Sequence, residues 1–188
     1  MRLVLAALAL ALAALNPLPA AAKDPTKAEK QADVRKVANE TLNRLYKAQP
    51  SARKAVEGAA GYAAFSNFGL KIFFAGGGSG SGIAVDNKSK KETFMKMVEV
   101  QAGLGLGAKK FRVVFVFDNA KDLNDFINSG WEFGGQATAA AKAGDKGQAY
   151  QGAMSVKPGV WMYQLTDEGL AVELTGKGTK YYKDSDLN

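Results

Sequence analysis

Apolar and polar residues repeat along this chain with two different periods, and the period in each stretch predicts its element. From Thr26 to Gln49, Val34, Val37, Ala38, Leu42 and Leu45 recur at helical spacing among interleaved lysines and acids. This predicts one amphipathic helix, stopped by Pro50. Ser51 is the expected N-cap of a second, short helix through Val56 that closes at Gly58 or Gly61. Farther on, Asp118 is expected to cap a helix from Asn119 to Asn128, whose Leu123, Phe126 and Ile127 form an inward stripe ended by Gly130.

Elsewhere the period is two, the mark of extended strands. Glycine takes every second position in two runs, Gly76, Gly78, Gly80 and Gly82 and then Gly103, Gly105 and Gly107. Each run reads as a strand with one face stripped of side chains, either so that a helix or sheet lies close or so that a ligand does. The first run follows the aromatic stretch Tyr62 to Phe74 and ends in Ile83-Ala84-Val85. The polar turn Asp86 to Lys91 then leads to a strand from Thr93 to Val100, which predicts a β-hairpin. Lys109-Lys110 reads as a tight connection before the strand Phe111 to Phe117. Val156 to Leu165 and Leu170 to Thr175 flank the turn Thr166 to Gly169, as antiparallel strands do. The small-residue stretch from Gly134 to Gly147 reads as strand or loop. Together these elements predict an α+β domain, a curled antiparallel sheet with N-terminal helices and one helix in the middle of the chain.

Residues 1–22 join a cationic start, an apolar run from Leu3 to Leu15 and the small-residue pattern Ala20-x-Ala22. The run is too short for a membrane span, and the pattern predicts a secretory signal cut near Ala22. A periplasmic or secreted protein is expected, with an amphipathic helix over residues 23–50 and one domain over residues 51–188. That helix either packs on the domain or meets a membrane.

Chemistry is limited by what is missing. The chain has no cysteine and no histidine, which removes disulfides, a lipid-anchoring cysteine, Ser-His-Asp and Cys-His nucleophile systems and zinc sites of the usual ligands. Gly103 to Ala108 matches a dinucleotide fingerprint, but a strand rather than a helix follows, so no helix N-terminus is there to hold a pyrophosphate. Asp118, Asp122 and Asp125 sit where a helix start favours negative charge. No pattern asks for a catalytic residue, a metal or another cofactor.

The formal charge is +7, which favours anionic partners, and in an exported chain these are phospholipid head groups or acidic glycans rather than nucleic acid. Two basic clusters stand out, Lys88, Lys90 and Lys91 in one turn, and Lys109, Lys110 and Arg112 in the other. Beside a smooth glycine face they would take an anionic head group together with its acyl chain; as lysine-rich turns they would equally protect a sheet edge.

Asn128-Ser129-Gly130-Trp131-Glu132-Phe133-Gly134-Gly135-Gln136 resembles the SYLF-domain family. The resemblance continues in Gly103 to Gly107, Val113 to Phe117, Tyr163 to Leu170 and Gly178 to Tyr182, and covers the chain from about Ser51 to its end. Eukaryotic members of that family bind phosphoinositides, some through an N-terminal amphipathic helix, and some bind or bundle actin. The resemblance implies affinity for anionic lipid; it carries over no site residue. A lipid-binding module of the envelope is therefore the first expectation. An envelope structural or adaptor protein binding a protein or glycan partner is the alternative, and an enzyme is not expected.

Overall fold

The computed structural model describes residues 24–72, 75–102, 107–133, 150–166, 169–171 and 177–188. Helix α1 (Lys27–Ala48) starts at a capping box: the Glu29 N–H donates to Thr26 Oγ1 at 3.3 Å, and the Thr26 N–H donates to Glu29 Oε2 at 2.7 Å. Its buried stripe is Val34, Ala38, Thr41, Leu42 and Leu45. Helix α2 (Ser51–Gly58) follows, but Ser51 is its first helical residue and not its cap. Pro50, at φ −58° and ψ −33°, is already helical, so the chain never adopts the extended conformation in which the Ser51 hydroxyl would cap. That hydroxyl accepts instead from Gln49 Nε2 at 2.7 Å.

Among the described residues nine strands form one antiparallel sheet that curls into an open half-barrel: β1 (Gly61–Ile72), β2 (Ala75–Asp86), β3 (Glu92–Ala102), β4 (Gly107–Phe117), β5 (Trp131–Phe133), β6 (Met154–Lys157), β7 (Val160–Thr166), β8 (Gly169–Ala171) and β9 (Lys177–Lys183). Across the sheet the order is β5-β9-β3-β2-β1-β4-β7-β6, with β8 also paired to β7. The α+β class, the curled sheet and the Asp86–Lys91 hairpin are as the sequence predicts. Lys109 and Lys110 differ. They lie inside β4, paired with Gly69 and Phe68 of β1, and are not a connection. The apolar run from Val156 to Leu165 also differs, because it folds back on itself at Pro158-Gly159 to make β6 and β7. Proline has no N–H for a ladder and Gly159 adopts φ +81°, a pairing that favours a turn over a continuous strand.

Helix α3 (Ala120–Ser129) is capped by Asn119, whose side chain accepts from the Asp122 N–H at 2.9 Å. Asp118 is not the cap: its carboxylate accepts from the Tyr150 hydroxyl and, at 3.2 Å, from Trp161 Nε1, which ties the start of α3 to β7.

The sheet is buried on both faces. On one face α1 and α2 cover Ala64, Ile83, Val85, Phe94, Val114, Val116 and Tyr163. On the other, α3 inserts Leu123 and Phe126 among Phe65, Met95, Phe115, Phe117, Met162 and Tyr181. Aromatic rings dominate this second core: Phe126 lies 5.5 Å from Phe115, 5.2 Å from Phe117 and 5.2 Å from Trp131, centroid to centroid.

Two strand glycines are required by this packing. A Cβ on Gly82 would stand 2.5 Å from Cδ1 of Phe65, and one on Gly61 would stand 2.6 Å from Cδ2 of Leu123. Gly82→Ala is therefore expected to cost about 1 to 3 kcal/mol, as overpacking does, read as a lower urea midpoint. Gly58→Ala is the matched control, because a Cβ there meets nothing within 4 Å at the end of α2; its expected effect is neutral or a gain of up to about 1 kcal/mol. Equal stability of the two variants would contradict the account of the bare face.

Candidate functional site

The same alternation that puts Gly78, Gly80 and Gly82 on the aromatic face puts Ser79 and Ser81 on the face of α1. Strand register then sets Ser81 opposite Ser66 of β1 and Lys96 of β3, and sets Ser66 opposite Arg112 of β4. One row therefore runs Lys96, Ser81, Ser66, Arg112 across four strands, two hydroxyls between two cations. Lys96 continues it to Tyr182 of β9.

The next row toward α1's footing is apolar throughout, Phe94, Ile83, Ala64, Val114 and Tyr163, and all five are buried. Helix α1 rests on that row and leaves the polar one at its margin. The serines are short, so a cleft of about 690 Å³ opens there, roofed by Val37 and Glu40 of α1 and walled by Val98, Tyr182 and Asp184. Its volume lies within the range of small-molecule sites, about 300 to 1,000 Å³.

Lys96 is held in place by two carboxylates. Its Nζ stands 3.0 Å from Asp184 Oδ1 and 2.8 Å from Asp186 Oδ2. The lysine pKa is raised by these hydrogen bonds, from Asp186 first and Asp184 second, and Lys96 in turn holds the Asp186 carboxyl below its ordinary value. Asp184 is buried, and its Oδ1 also accepts from the Asp186 N–H at 2.9 Å. The ammonium has three donors, so one remains for a ligand. Arg112 brings a planar guanidinium with five donors, a shape suited to phosphate or carboxylate.

The other residues expected from sequence are placed differently. Lys88, Lys90 and Lys91 are exposed on the β2–β3 turn. That turn is well ordered by its own hydrogen bonds: Asp86 Oδ1 accepts from the Ser89 N–H at 2.7 Å and from its hydroxyl at 2.9 Å, and the Lys90 N–H donates to Asp86 O at 2.8 Å. The two bonds from Ser89, its N–H first and its hydroxyl second, hold the Asp86 carboxyl below its ordinary value. Gly76 lies at the far end of the same strand, ten residue steps from Asp86, or about 33 Å, so the lysine turn and that end of the glycine run are far apart.

On the glycine face Gly82 is covered by the Phe65 ring. Gly78 and Gly80 are half-buried, and Gly76 pairs with Lys71, as does Gly107 at the start of β4. Gly103 and Gly105 lie outside the described residues, as do the signal residues 1–22 and the stretch from Gly134 to Gly147. Arg112 points to the opposite face of the sheet from these glycines, because it shares its face with Ser66 and Ser81. Ser66, Ser79, Ser81, Lys96 and Tyr182 were not singled out by sequence reasoning. The available signal was the serine half of the Gly-Ser alternation from Gly78 to Gly82; Lys96 joins it only through strand register.

Among the described residues no group of three or more His, Cys, Asp or Glu is arranged to hold a metal ion, and no described helix is long and apolar enough to cross a membrane.

Residues 98–188 match the family model Ysc84, described as Las17-binding protein actin regulator. The chain is also similar to Beta cell expansion factor A of Aeromonas veronii, 30% identical over 166 residues, a match covering 86% of this chain and 60% of that protein. The chain thus spans about 60% of that relative's length. Arg112, Tyr182 and Asp184 fall within the family match, and Ser66, Ser81 and Lys96 precede it.

The ion pairs at Lys96 give the site a pH signature. Because Asp186 has a lowered pKa in the folded chain, its contribution is complete above the ordinary carboxylate value, about 3.9, and is lost as pH falls through the lowered one. Wild type is expected to resist urea better than Lys96→Gln at pH 6, and the gap between their midpoints is expected to shrink steadily toward pH 2. A gap that holds constant to pH 2 would show that Asp186 does not stabilise the fold through Lys96.

Proposed function

We propose, for a chain that belongs to the Ysc84/SYLF family, that it is a membrane-binding module and that the row Lys96, Ser81, Ser66, Arg112 receives the phosphate of a lipid head group. The observation that carries this reading is the row itself: two hydroxyls bracketed by two cations, open to solvent beside α1. A phosphate oxygen is an acceptor only, so serine hydroxyls, a lysine N–H and a guanidinium fork are the donors it needs.

Val98 supports lipid over a free sugar. It is a large apolar side chain at the cleft wall, 38% exposed, and offers a greasy lip where glycerol and the first acyl carbons would lie. Members of the family are generally non-catalytic binding modules. Its description names Las17 binding and actin regulation, which are properties of those relatives; a phosphate-bearing lipid is the ligand whose chemistry this row fits.

The lysine turn has a separate part. Lys88, Lys90 and Lys91 stand about 17 Å along the β2–β3 hairpin from the row, five residue steps at about 3.3 Å each. In this reading they draw the protein to an anionic bilayer over long range, while Arg112 and Lys96 make the short-range contact. Export fits the same picture, with residues 1–22 removed as a secretory signal and the mature chain meeting the outer bilayer surface.

Four outcomes are expected. Peptide mapping of the exported protein should find its N-terminus at or within a few residues of Lys23; an intact Met1 form outside the cytoplasm would overturn the signal assignment. In co-sedimentation with anionic vesicles, exchanging Lys88, Lys90 and Lys91 for glutamine should weaken binding more than tenfold, since each lysine near such a surface contributes about 1 kcal/mol. The same binding should fade with added salt. Arg112→Gln should weaken binding by between about tenfold and a hundredfold, the size of a charge-assisted hydrogen bond of about 1.5 to 3 kcal/mol. Vesicle binding identical in wild type and Arg112→Gln would remove the row from the lipid contact, and no vesicle binding in either would favour an envelope adaptor for protein or glycan.

A further inference from the structure

The cleft is not simply basic. Its charged lining comprises Lys96 and Arg112 on the sheet, Asp184 after β9 and Glu40 on α1. Asp184 is committed to Lys96 at 3.0 Å and is buried. Glu40 is different: it is exposed and enters none of the ion pairs or side-chain hydrogen bonds formed among the described residues. An acid at the roof of a site built for phosphate repels an anion that carries no compensating charge, and contributes only if the ligand brings a cation to it.

We infer that the cleft takes a phosphodiester that also carries an amine, of the phosphoethanolamine type, with its phosphate on Arg112, Ser66 and Ser81 and its ammonium at Glu40. The inference rests on the head-group reading above and specifies the chemical class that this site prefers. Charge balance favours it: a zwitterion matches a guanidinium on the floor and a carboxylate on the roof, whereas a phosphate ester with a hydroxyl tail meets the carboxylate with nothing to offer it. Selectivity then arises from repulsion of the wrong ligand as much as from attraction of the right one.

The test is isothermal titration of the full mature chain with two water-soluble probes, glycerophosphoethanolamine and glycerophosphoglycerol, using wild type, Glu40→Gln and Arg112→Gln. Glutamine keeps helix propensity at this exposed position, so melting of Glu40→Gln should match wild type. Wild type is expected to bind the amine ester about three- to fivefold more tightly than the glycerol ester, the range of an exposed ion pair. Glu40→Gln should erase that preference, by weakening the amine ester and leaving the glycerol ester equal or tighter. Arg112→Gln should weaken both esters alike. Equal wild-type affinity for the two esters, or a preference that survives Glu40→Gln, would overturn the inference while leaving the phosphate row intact. Failure of both esters to bind wild type would remove the row as a phosphate site and this inference with it. Vesicles with a fixed anionic content and either phosphatidylethanolamine or phosphatidylcholine tell the sources apart: a preference for the primary amine in the bilayer assigns the lipid, and binding of the soluble ester alone assigns a free phosphodiester of the same class.

Discussion

The contact between the Phe65 ring and the bare backbone of Gly82 fixes everything built on the sheet. β1 pairs with β2 on one side and β4 on the other, so the facing of β1 determines which side chains of three strands share a surface. With Phe65 on Gly82, Ala63 and Phe65 of β1 enter the aromatic core with Phe115, Phe117 and Phe126, and Tyr62, Ala64 and Ser66 face α1. A slip of one residue would exchange the two faces. Ser66 would then enter the aromatic core, and Phe65 would meet α1. Glycine at position 82 is what lets a phenyl ring settle across a neighbouring strand, and its cost in backbone entropy is offset by burial of that ring.

From that register the cleft follows without further specialisation. Helix α1 needs an apolar footing, which Phe94, Ile83, Ala64, Val114 and Tyr163 supply in one row. One row farther the side chains are serine, and the surface drops away. α1 is held in its crossing by contacts at its first half: Lys27 Nζ donates to Asn188 O at 2.8 Å, Gln31 Nε2 donates to Leu187 O at 2.7 Å, and Arg35 pairs with Glu92 at 2.6 Å. The same segment after β9 carries Asp184 and Asp186, which steady Lys96. Packing, roof and cation are thereby coupled: loosening the residues after β9 would free the helix that roofs the cleft and the lysine that lines it.

Much of the fold was legible in the sequence. The periods of 3.6 and 2 mark α1, α3 and the strands β2, β3 and β4, and the Asp86–Lys91 turn announces its hairpin; β1 was read only as an aromatic stretch leading into β2. The errors came where one residue's local preference met a neighbour's stronger constraint: Pro50 started α2 before Ser51 could cap it, Asn119 capped α3 while Tyr150 and Trp161 claimed Asp118, and Gly159 broke a run that was apolar enough for one strand. The site was legible only in part. Arg112 was a candidate from its basic neighbours, yet its partners Lys96, Ser66 and Ser81 come from three other strands and are separated in sequence by 15 to 46 positions. Hydroxyls carry no compositional signal of their own, and only strand register makes them a row.

If one cross-strand row is the point of contact with lipid phosphate, as we propose, amide chemical shifts of the isotope-labelled chain from Lys23 onward will show it during titration with a short-chain, water-soluble phospholipid below its micelle concentration. The amides of Ser66, Ser81, Lys96 and Arg112 are expected to shift together along one saturation curve, while Gly82 and Asn119 stay in place. Shifts confined to the Lys88–Lys91 turn, or spread over the glycine face with Arg112 unmoved, would contradict it.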